Sequence, residues 1–289
     1  TKDLAGKEVE LFGWVANRRD HGKLVFVDLR DRTGIIQVVF GPFTPDTYEL
    51  AQTLRNEWVV RIKGLVKERP EKMRNADIPT GSVELEPREL EVLSVAETPP
   101  LPLDTDGRDI DEDVRMKYRY LDLRRPRMAQ NLALRHKVSN LVRQYLSAAG
   151  FMEVEPPTLT KTSPEGARDF LVPSRFRSGM FYALPQSPQQ YKQLLMIAGV
   201  ERYFQLAHCF RDEDLRGDRQ FEHTQIDMEM SFVTEQDVRD IVEGMMIHVV
   251  EACGKRILEK PFPVYTHDEA VAKFGSDKFD LRPDPKDPD

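Results

Sequence analysis

The sequence predicts an α+β multidomain fold, in which an all-β domain precedes a domain of mixed helices and strands. Strand-like segments with turn signals between them fill the first hundred residues, and helical periodicity begins only later in the chain. A stretch rich in Pro and Asp separates the two patterns. The length of 289 residues also suits two domains better than one.

Short strands follow one another through the N-terminal part, at a spacing of roughly 10 residues. They are EVELFGWVANR, KLVFVDLRD, GIIQVVF, WVVRIKGLVKE and SVELEPRELEVLSV. Residues 42–56, between the third and fourth strands, are typical of a short helix. This pattern predicts a five-stranded Greek-key barrel of the oligonucleotide-binding type over residues 1–100.

The linker candidate is the segment 97–113, ETPPLPLDTDGRDIDED, which has no periodic pattern. We therefore place a linker at residues 101–120 and the second domain at residues 121–289.

Helices are predicted in the second domain from apolar periodicity and capping signals. An apolar stripe from Val138 to Tyr145 predicts a helix that Gly150 ends, and residues 186–197 predict another. Thr234 and Asp237 form a capping pair in front of a third helix.

Composition excludes several classes of protein. A net charge of -7 argues against nucleic-acid binding over the whole surface, but it allows a local basic patch. Cys209 and Cys253 lack metal-binding or redox spacing, which indicates a reducing, cytoplasmic compartment without a zinc site. No apolar run approaches the length that spans a membrane, so we expect no membrane partner.

A long hairpin with two different faces is predicted from Tyr203–Arg211 and Thr224–Phe232. One face, which ends with Phe232, is apolar and must pack. The other face carries Gln205, Arg211, Gln225, Asp227 and Glu229. Periodicity alone favours a solvated polar face, yet it does not distinguish such a face from the floor of a ligand site.

Several long segments resemble a known family. FRDED followed by EHTQIDMEM resembles motif 2 of the class II aminoacyl-tRNA synthetases, and GFMEVEPPTL resembles motif 1. TSPEGARDFLVPSR and FYALPQSPQQYKQLLM are similar to bacterial-type aspartyl-tRNA synthetases. The resemblance implies an incomplete class II antiparallel-sheet catalytic domain, without the inserted domain and motif 3. We interpret the chain as the N-terminal portion of a longer enzyme.

The resemblance implies that aspartate attacks the α-phosphate of ATP, and that the aspartyl group then passes to tRNA(Asp). An ionised carboxylate needs no general base, so catalysis must come from positioning and charge neutralisation. ATP and Mg²⁺ are the implied cofactors.

Site residues follow from the resemblance, with Arg211 and Glu213 in the catalytic role. The ATP-binding residues implied are Arg211, Glu213, Gln220 and His223. The aspartate-binding residues implied are Glu165, Gln189, Lys192, Arg211 and Asp227. Lys192 would pair with the side-chain carboxylate of aspartate, and Asp227 would hold its ammonium group. Without the resemblance, Lys192 is typical of a solvated helix lysine and Glu165 of an ordinary loop acid. We expect no metal held tightly by the protein, with Mg²⁺ near Glu213.

The resemblance further implies that the barrel binds the tRNA anticodon. The contact residues implied are Arg19, His21, Phe26, Gln37, Arg69 and Glu84. Phe26 would stack on a base, although alternation with its neighbours also allows a place in the barrel core. His21 occupies a family position associated with tRNA(Asn) acceptance, which gives the hypothesis that tRNA(Asn) is a second substrate.

Two residues depart from the family pattern. His223 stands where the family has a Phe that stacks on adenine, and Phe279 stands where Pro is typical. Because imidazole covers less area than a phenyl ring, we expect less stacking on adenine than in the family.

Other functions stay open at this point. A truncated relative would bind tRNA through its barrel and catalyse nothing. A lysine- or asparagine-specific ligase of the same subclass is a second alternative, against which residues 165–169 and 186–189 argue. The family forms homodimers through motif 1, so we expect an interface from Val138–Leu146 to Leu159. The alternative is that this helix only packs within its own core.

Overall fold

The structure, a computed structural model, describes residues 2–76, 78–163, 166–215 and 220–281. The chain divides into two compact units, Thr1–Asn131 and Leu132–Asp289. Within the described part of the chain, no helix combines the length and the apolar character needed to cross a membrane.

The first unit contains the predicted barrel. Its strands are β1 Glu8–His21, β2 Leu24–Asp31, β3 Gly34–Phe40, β4 Val59–Glu68 and β5 Val83–Ser94. They close in the order β1-β2-β3-β5-β4, with β3 and β5 parallel and the other neighbours antiparallel. The five-stranded barrel is therefore confirmed. The helix between the third and fourth strands, α1 Pro45–Ala51, is shorter than predicted.

Alternation along β2 decides which side chains fill the barrel. Val25, Val27 and Leu29 are at most 3% exposed and belong to the core cluster. Because successive strand residues point to opposite sides, Phe26 and Asp28 lie on the outer face. The placement of Phe26 in the barrel core is thus excluded.

Three helices follow the barrel strands. They are α2 Glu112–Lys117, α3 Arg119–Asp122 and α4 Pro126–Ala148. Just before α4, Arg125 is fully buried and donates to Asp122 Oδ1 at 2.7 Å and to the Pro102 carbonyl oxygen at 2.7 Å. Gly107 adopts a φ of +76°, and a Cβ there would lie 2.7 Å from Arg125 Nε. The Pro- and Asp-rich segment is therefore packed around a buried guanidinium and is not an extended linker without contacts.

The second unit combines short strands with helices. Its elements after α4 are β6 Met152–Glu153, β7 Leu171–Pro173, β8 Phe181–Ala183, α5 Gln189–Ile197, β9 Arg202–Phe210, β10 Glu222–Met230, α6 Glu235–Ala252 and α7 His267–Phe274. One sheet has the order β10-β9-β6, with β6 parallel to β9, and β7 pairs with β8. The three helices predicted in this part are present, as α4, α5 and α6.

The core of the second unit lies between the helices and the apolar face of the β9–β10 hairpin. Its buried residues are Val142, Leu146, Phe151, Phe204, Met245 and Val249. Val138, Leu141 and Tyr145 of α4 pack against them, as the apolar stripe predicts. α6 begins at a capping box between Thr234 and Asp237, which confirms that prediction.

Phe232 does not belong to the apolar face, and this prediction is wrong. β10 ends at Met230, so strand alternation no longer applies two residues later. Phe232 has a φ of 58° and is 94% exposed. The left-handed backbone turns its side chain away from the core.

Candidate functional site

The β9–β10 hairpin places its polar side chains on one face. In the register of the pair, Asp227 lies opposite Gln205 and Glu229 lies opposite Tyr203. Phe204 and Met228 point to the other side and pack in the core. The prediction of two faces of opposite character is confirmed.

Lys192 of α5 lies over this polar face. Its Nζ is 3.0 Å from Asp227 Oδ1, 3.1 Å from Glu229 Oε2 and 3.4 Å from the carbonyl oxygen of Met228. Gln225 Nε2 donates to the same Asp227 oxygen at 3.3 Å. Lys192 is only 8% exposed and Asp227 only 7% exposed. The solvated-lysine interpretation is therefore wrong, because α5 covers this part of the polar row.

The charges of this cluster hold Lys192 in its protonated form. Burial acts to lower the pKa of Lys192, but its hydrogen bonds to Asp227 and Glu229 outweigh burial and raise that pKa. Burial raises the pKa of Asp227, although Lys192 and Gln225 act to lower it. Among the described residues, Asp227 Oδ2 has no hydrogen-bond partner. A buried acceptor without a donor indicates a place for a ligand group that donates hydrogen bonds.

Gln186 holds the loop at residues 167–169, although the sequence did not single it out as a site residue. It is 1% exposed, and its Nε2 donates to the Ala167 carbonyl oxygen at 2.9 Å and to the Asp169 carboxylate. Its Oε1 accepts from the Ala167 N–H at 3.2 Å. The same loop continues into Arg168, whose carbonyl oxygen accepts from the Asp212 N–H at 2.9 Å. The loop that follows position 165 is thereby attached to Asp212, just after β9.

The remaining predicted residues of this unit lie around the hairpin end. Arg211 follows β9, and its N–H donates to the Phe221 carbonyl oxygen at 2.7 Å. No hydrogen bond or ion pair joins the side chains of Arg211, Glu213 or Gln220 to other residues that the structure describes. His223 faces the same side of β10 as Asp227, because an even number of residues, four, separates them. Glu165 lies outside the described residues.

Two further predicted residues can be placed. Gln189 is the first residue of α5, one helical turn before Lys192, and its N–H donates to Ser187 Oγ at 3.3 Å. Phe279 stacks on Phe274 with ring centroids 4.0 Å apart, and it also meets Tyr265 edge-on at 5.5 Å. The Phe in place of Pro therefore has a packing role near α7.

The described residues do not by themselves form a metal site. Within the described ranges, no group of three or more His, Cys, Asp or Glu side chains is arranged to hold an ion. Glu213 is exposed and belongs to no such group among those residues. The cluster around Lys192 already has a cation between its two carboxylates.

The barrel presents a separate polar face, formed by β1, β2 and β3. Arg19 of β1 lies opposite Phe26 of β2, and Asp28 of β2 lies opposite Gln37 of β3. Arg19 Nη2 donates to both carboxylate oxygens of Asp28, at 2.8 and 2.9 Å. An aromatic ring beside a guanidinium and an amide is the composition used to stack and read unpaired bases. Asp28 belongs to this face, although it was not among the predicted contacts.

Arg69 is a buried guanidinium with two nitrogens that lack a hydrogen-bond partner among the described residues. It is 5% exposed, and its Nε lies 3.5 Å from Glu84 Oε2 as an ion pair. Nε and Nη2 have no hydrogen-bond partner in the part of the chain that the structure describes. His21, at the end of β1, is exposed beside Gly22 in the β1–β2 turn. Arg69 and His21 thus carry groups that an external acceptor could satisfy or approach.

Simple sequence signals could have identified the residues that were missed. Glu229 is two positions from Asp227 on the same strand, and Asp28 is two positions from Phe26, so each shares a face with a predicted residue. Gln186 gave no such signal, because its partners lie 17 and 19 residues away in an irregular loop.

Two family matches cover most of the chain. Residues 111–286 match the tRNA synthetases class II (D, K and N), and residues 9–93 match the OB-fold nucleic acid binding domain. The second match coincides with the barrel, and the first contains the Lys192 cluster.

Relatives of known name align with nearly the whole chain. An aspartate–tRNA(Asp/Asn) ligase of Syntrophomonas wolfei is 55% identical over 280 residues, which are 96% of this chain and 48% of the relative. An aspartate–tRNA ligase of Staphylococcus saprophyticus is 52% identical over 283 residues, which are 98% of this chain and 48% of the relative. The chain therefore spans about half the length of the curated relatives it matches.

Solved structures share the fold. The asparaginyl-tRNA synthetase from Pyrococcus horikoshii, complexed with asparaginyl-adenylate, aligns with a TM-score of 0.80 at 26% identity, over 93% of this chain and 64% of that one. The part of the catalytic fold seen here is accordingly incomplete relative to that protein. Because one family match covers more than half of its residues, the chain belongs to the class II tRNA synthetases of the D, K and N group.

Proposed function

We propose that this chain is part of an aspartate–tRNA ligase, which activates L-aspartate with ATP and transfers it to tRNA(Asp). The observation that carries the proposal is the buried Lys192, held between Asp227 and Glu229 on the hairpin floor. The sequence likeness to curated aspartate–tRNA ligases supports the choice of aspartate over lysine, since a lysine side chain would meet a like charge at Lys192.

Lys192 and Asp227 would hold the two ends of the amino acid. The Lys192 ammonium is the cation for the side-chain carboxylate of aspartate. Asp227 Oδ2, without a partner among the described residues, is the acceptor for the substrate ammonium group. Gln189, on the same face of α5, is the candidate for a neutral polar contact.

Charge balance requires a further cation when aspartate binds. One ammonium between two carboxylates leaves the described cluster with a net negative charge. A second carboxylate from the substrate would therefore be repelled without another positive group. Arg211 is our candidate for neutralising substrate carboxylate and α-phosphate oxygens, because a planar guanidinium binds two oxygens at once.

ATP would lie at the hairpin end. Glu213, Gln220 and His223 are the candidate contacts, with His223 stacking on adenine over a smaller area than a Phe would. Mg²⁺ would arrive bound to the phosphates, and Glu213 is the candidate acid for organising it. We also propose that Glu165, which lies outside the described ranges, contacts aspartate.

The barrel would bind the anticodon loop. Phe26 is the stacking residue, and Gln37 and Arg19 flank it on the neighbouring strands. The unused donors of Arg69, beside Glu84, suit a base carbonyl or a phosphate oxygen. His21 is exposed, so its side chain can contact the anticodon loop. We propose that this contact allows tRNA(Asn) to be a substrate as well as tRNA(Asp).

A homodimer in the cytoplasm completes the proposal. Four large apolar side chains in or near the predicted interface segment are at least half exposed: Leu132, Leu134, Met152 and Leu159. Exposed apolar surface of this kind is typical of an interface. Equilibrium sedimentation at micromolar concentration should give a dimer, and a monomer would contradict this part of the proposal.

ATP–pyrophosphate exchange with aspartate, asparagine or lysine tests the activity. We expect exchange with aspartate only, abolished by Lys192→Met but retained by Lys255→Met, which changes an exposed lysine beyond α6. Exchange with lysine or asparagine would overturn the role of Lys192.

Binding of a non-hydrolysable aspartyl-adenylate analogue, measured by calorimetry, separates substrate recognition from turnover. Analogue binding without exchange would support the specificity and make this chain an incomplete catalyst. RNA binding without analogue binding would favour the alternative, a tRNA-binding relative that catalyses nothing.

A further inference from the structure

Asp28 has an unusual position on the outer face of the barrel. It shares that face with Phe26, two residues earlier on β2, and lies opposite Gln37 on β3. Arg19 approaches from β1 and donates to both of its oxygens through one nitrogen, Nη2, at 2.8 and 2.9 Å. The carboxylate is thus fixed in the middle of the three strands.

A carboxylate at this place weakens the attraction of the face for phosphates. Nucleic-acid affinity comes largely from cations near the backbone, and Asp28 cancels the charge of Arg19. The side chain of Asp28 is only 19% exposed. Burial raises the pKa of Asp28, although Arg19 and Arg69 act to lower it. A half-buried acid here costs both stability and general affinity, so a face that only held RNA would not need it.

Base recognition gives this acid a purpose. An ionised carboxylate only accepts hydrogen bonds and offers about four lone-pair sites, of which Arg19 occupies two. Residues two apart on a strand are separated by about 6.6 Å. A base stacked on Phe26 can therefore present its edge to Asp28. Guanine and uracil carry a ring imino N–H on their Watson–Crick edge, whereas adenine and cytosine carry a ring lone pair there.

We propose that Asp28 is a specificity-determining residue of the barrel, which accepts a hydrogen bond from the imino N–H of a base stacked on Phe26. It selects guanine or uracil against adenine or cytosine at that position. The inference rests on the proposed function of the barrel as a reader of an RNA loop, and it adds a residue to that function. Arg19 keeps the carboxylate ionised and oriented.

Fluorescence anisotropy with short labelled RNA hairpins tests the inference. The hairpins differ at one loop base at a time. The base that stacks on Phe26 is at the position where an abasic site weakens binding to the unchanged protein but not to Phe26→Ala. We expect the protein to bind guanine or uracil there about tenfold more tightly than adenine or cytosine, the effect of one hydrogen bond to a charged group. In Asp28→Asn, Arg19 would donate to the amide oxygen and turn the amide nitrogen to the base. The preference should then disappear or reverse.

Controls separate this role from general effects. Asp3→Asn makes the same charge change at an exposed residue before β1 and should leave the preference intact. If Asp28 acted only by orienting Arg19, Asp28→Asn would weaken all four bases equally and would have no effect in an Arg19→Ala background. That result would overturn the inference. Asp28→Ser serves as a second variant. Each of the two variants is compared only if its melting temperature equals that of the unchanged protein.

Failure of the wider function gives a different result. If the unchanged protein binds none of the hairpins, the barrel does not read RNA, and the proposed function fails with the inference. If it binds and Phe26→Ala weakens binding, but Asp28→Asn retains the guanine and uracil preference, only the role of Asp28 is wrong.

Discussion

Lys192 Nζ lies 3.0 Å from Asp227 Oδ1, and the two side chains are only 10% and 8% exposed. Buried ion pairs contribute little to stability in comparison with apolar residues that fill the same space. Glu229 adds a second carboxylate at 3.1 Å, which gives the cluster more acid than base. An arrangement that is expensive to bury and unbalanced in charge is better explained by ligand binding than by folding.

Lys192→Met should destabilise the second unit by about 3–5 kcal/mol, because it leaves buried carboxylates without a cation. Urea unfolding followed by circular dichroism measures the loss. The triple variant Lys192→Met, Asp227→Asn, Glu229→Gln should recover most of it, since no charge then remains buried. Equal stability of Lys192→Met and the unchanged protein would show that the cluster is hydrated and open.

The barrel could be predicted from sequence because strand alternation is a local pattern. The side chains of β2 alternate between core and surface, so each strand and its faces follow from neighbouring letters. The same rule separated the two faces of the β9–β10 hairpin. Where the chain leaves the strand the rule fails, as the exposed Phe232 demonstrates.

The burial of the site could not be predicted in this way. Lys192 and Asp227 are 35 residues apart, and periodicity gives the face of α5 without the element that covers it. The hydrogen bond from Gln186 to Ala167 joins two segments without regular secondary structure, for which the sequence has no repeating pattern. Family resemblance supplied Lys192 and Asp227 as candidates, whereas the pairing between them comes only from the three-dimensional arrangement.

Glu57→Gln should destabilise the first unit by about 3 kcal/mol, because it removes a buried carboxylate that pairs with two guanidinium groups. Glu57 is 5% exposed, and Arg30 Nη2 lies 2.8 and 3.0 Å from its two oxygens. Arg124 also donates to it and lies 5.3 Å from the Trp14 ring.

Both tryptophans of the chain, Trp14 and Trp58, are in the first unit, so their fluorescence in urea reports the unfolding of that unit. Glu10→Gln is the matched control. Glu10 pairs with Arg61 at an exposed site, where loss of an ion pair should cost less than about 1 kcal/mol. Equal effects of the two substitutions would contradict a buried role for Glu57.

The first unit should lose about 2 kcal/mol of stability between pH 4 and pH 2 through Asp122. Hydrogen bonds from Arg115 and then Arg125 lower the pKa of Asp122 from 3.8 to about 2. A depressed folded-state pKa stabilises the protein above the unfolded value, and this contribution disappears as the pH falls to the folded value.

Tryptophan fluorescence in urea at a series of pH values measures this loss. Asp122→Asn should be less stable at pH 7, and its difference from the unchanged protein should shrink as the pH falls to about 2. Asp109→Asn changes an exposed residue of the same segment, and its free energy of unfolding should depend on pH as that of the unchanged protein does. A difference for Asp122→Asn that is independent of pH would contradict the ion-pair explanation.

Gly244→Ala in α6 should destabilise the second unit by about 1–3 kcal/mol, against the usual trend. Replacing a helix-interior Gly by Ala normally stabilises by up to about 1 kcal/mol, because Ala loses less backbone entropy. Here a Cβ would overlap the hydroxyl oxygen of Tyr145 on α4 and lie 3.2 Å from Cζ of its ring. Close approach of the two helices therefore requires the absence of a side chain at this position.

Tyr145→Phe provides the matched background, since it removes the hydroxyl group and leaves the ring. In the Tyr145→Phe background, Gly244→Ala should reduce the free energy of unfolding far less, and it should increase that free energy if the ring does not move. Urea unfolding by circular dichroism of the four variants gives the coupling energy between the two sites. Additive effects would mean that the Tyr145 side chain rotates away without cost, so that Gly244 is not required for the packing of α4 on α6.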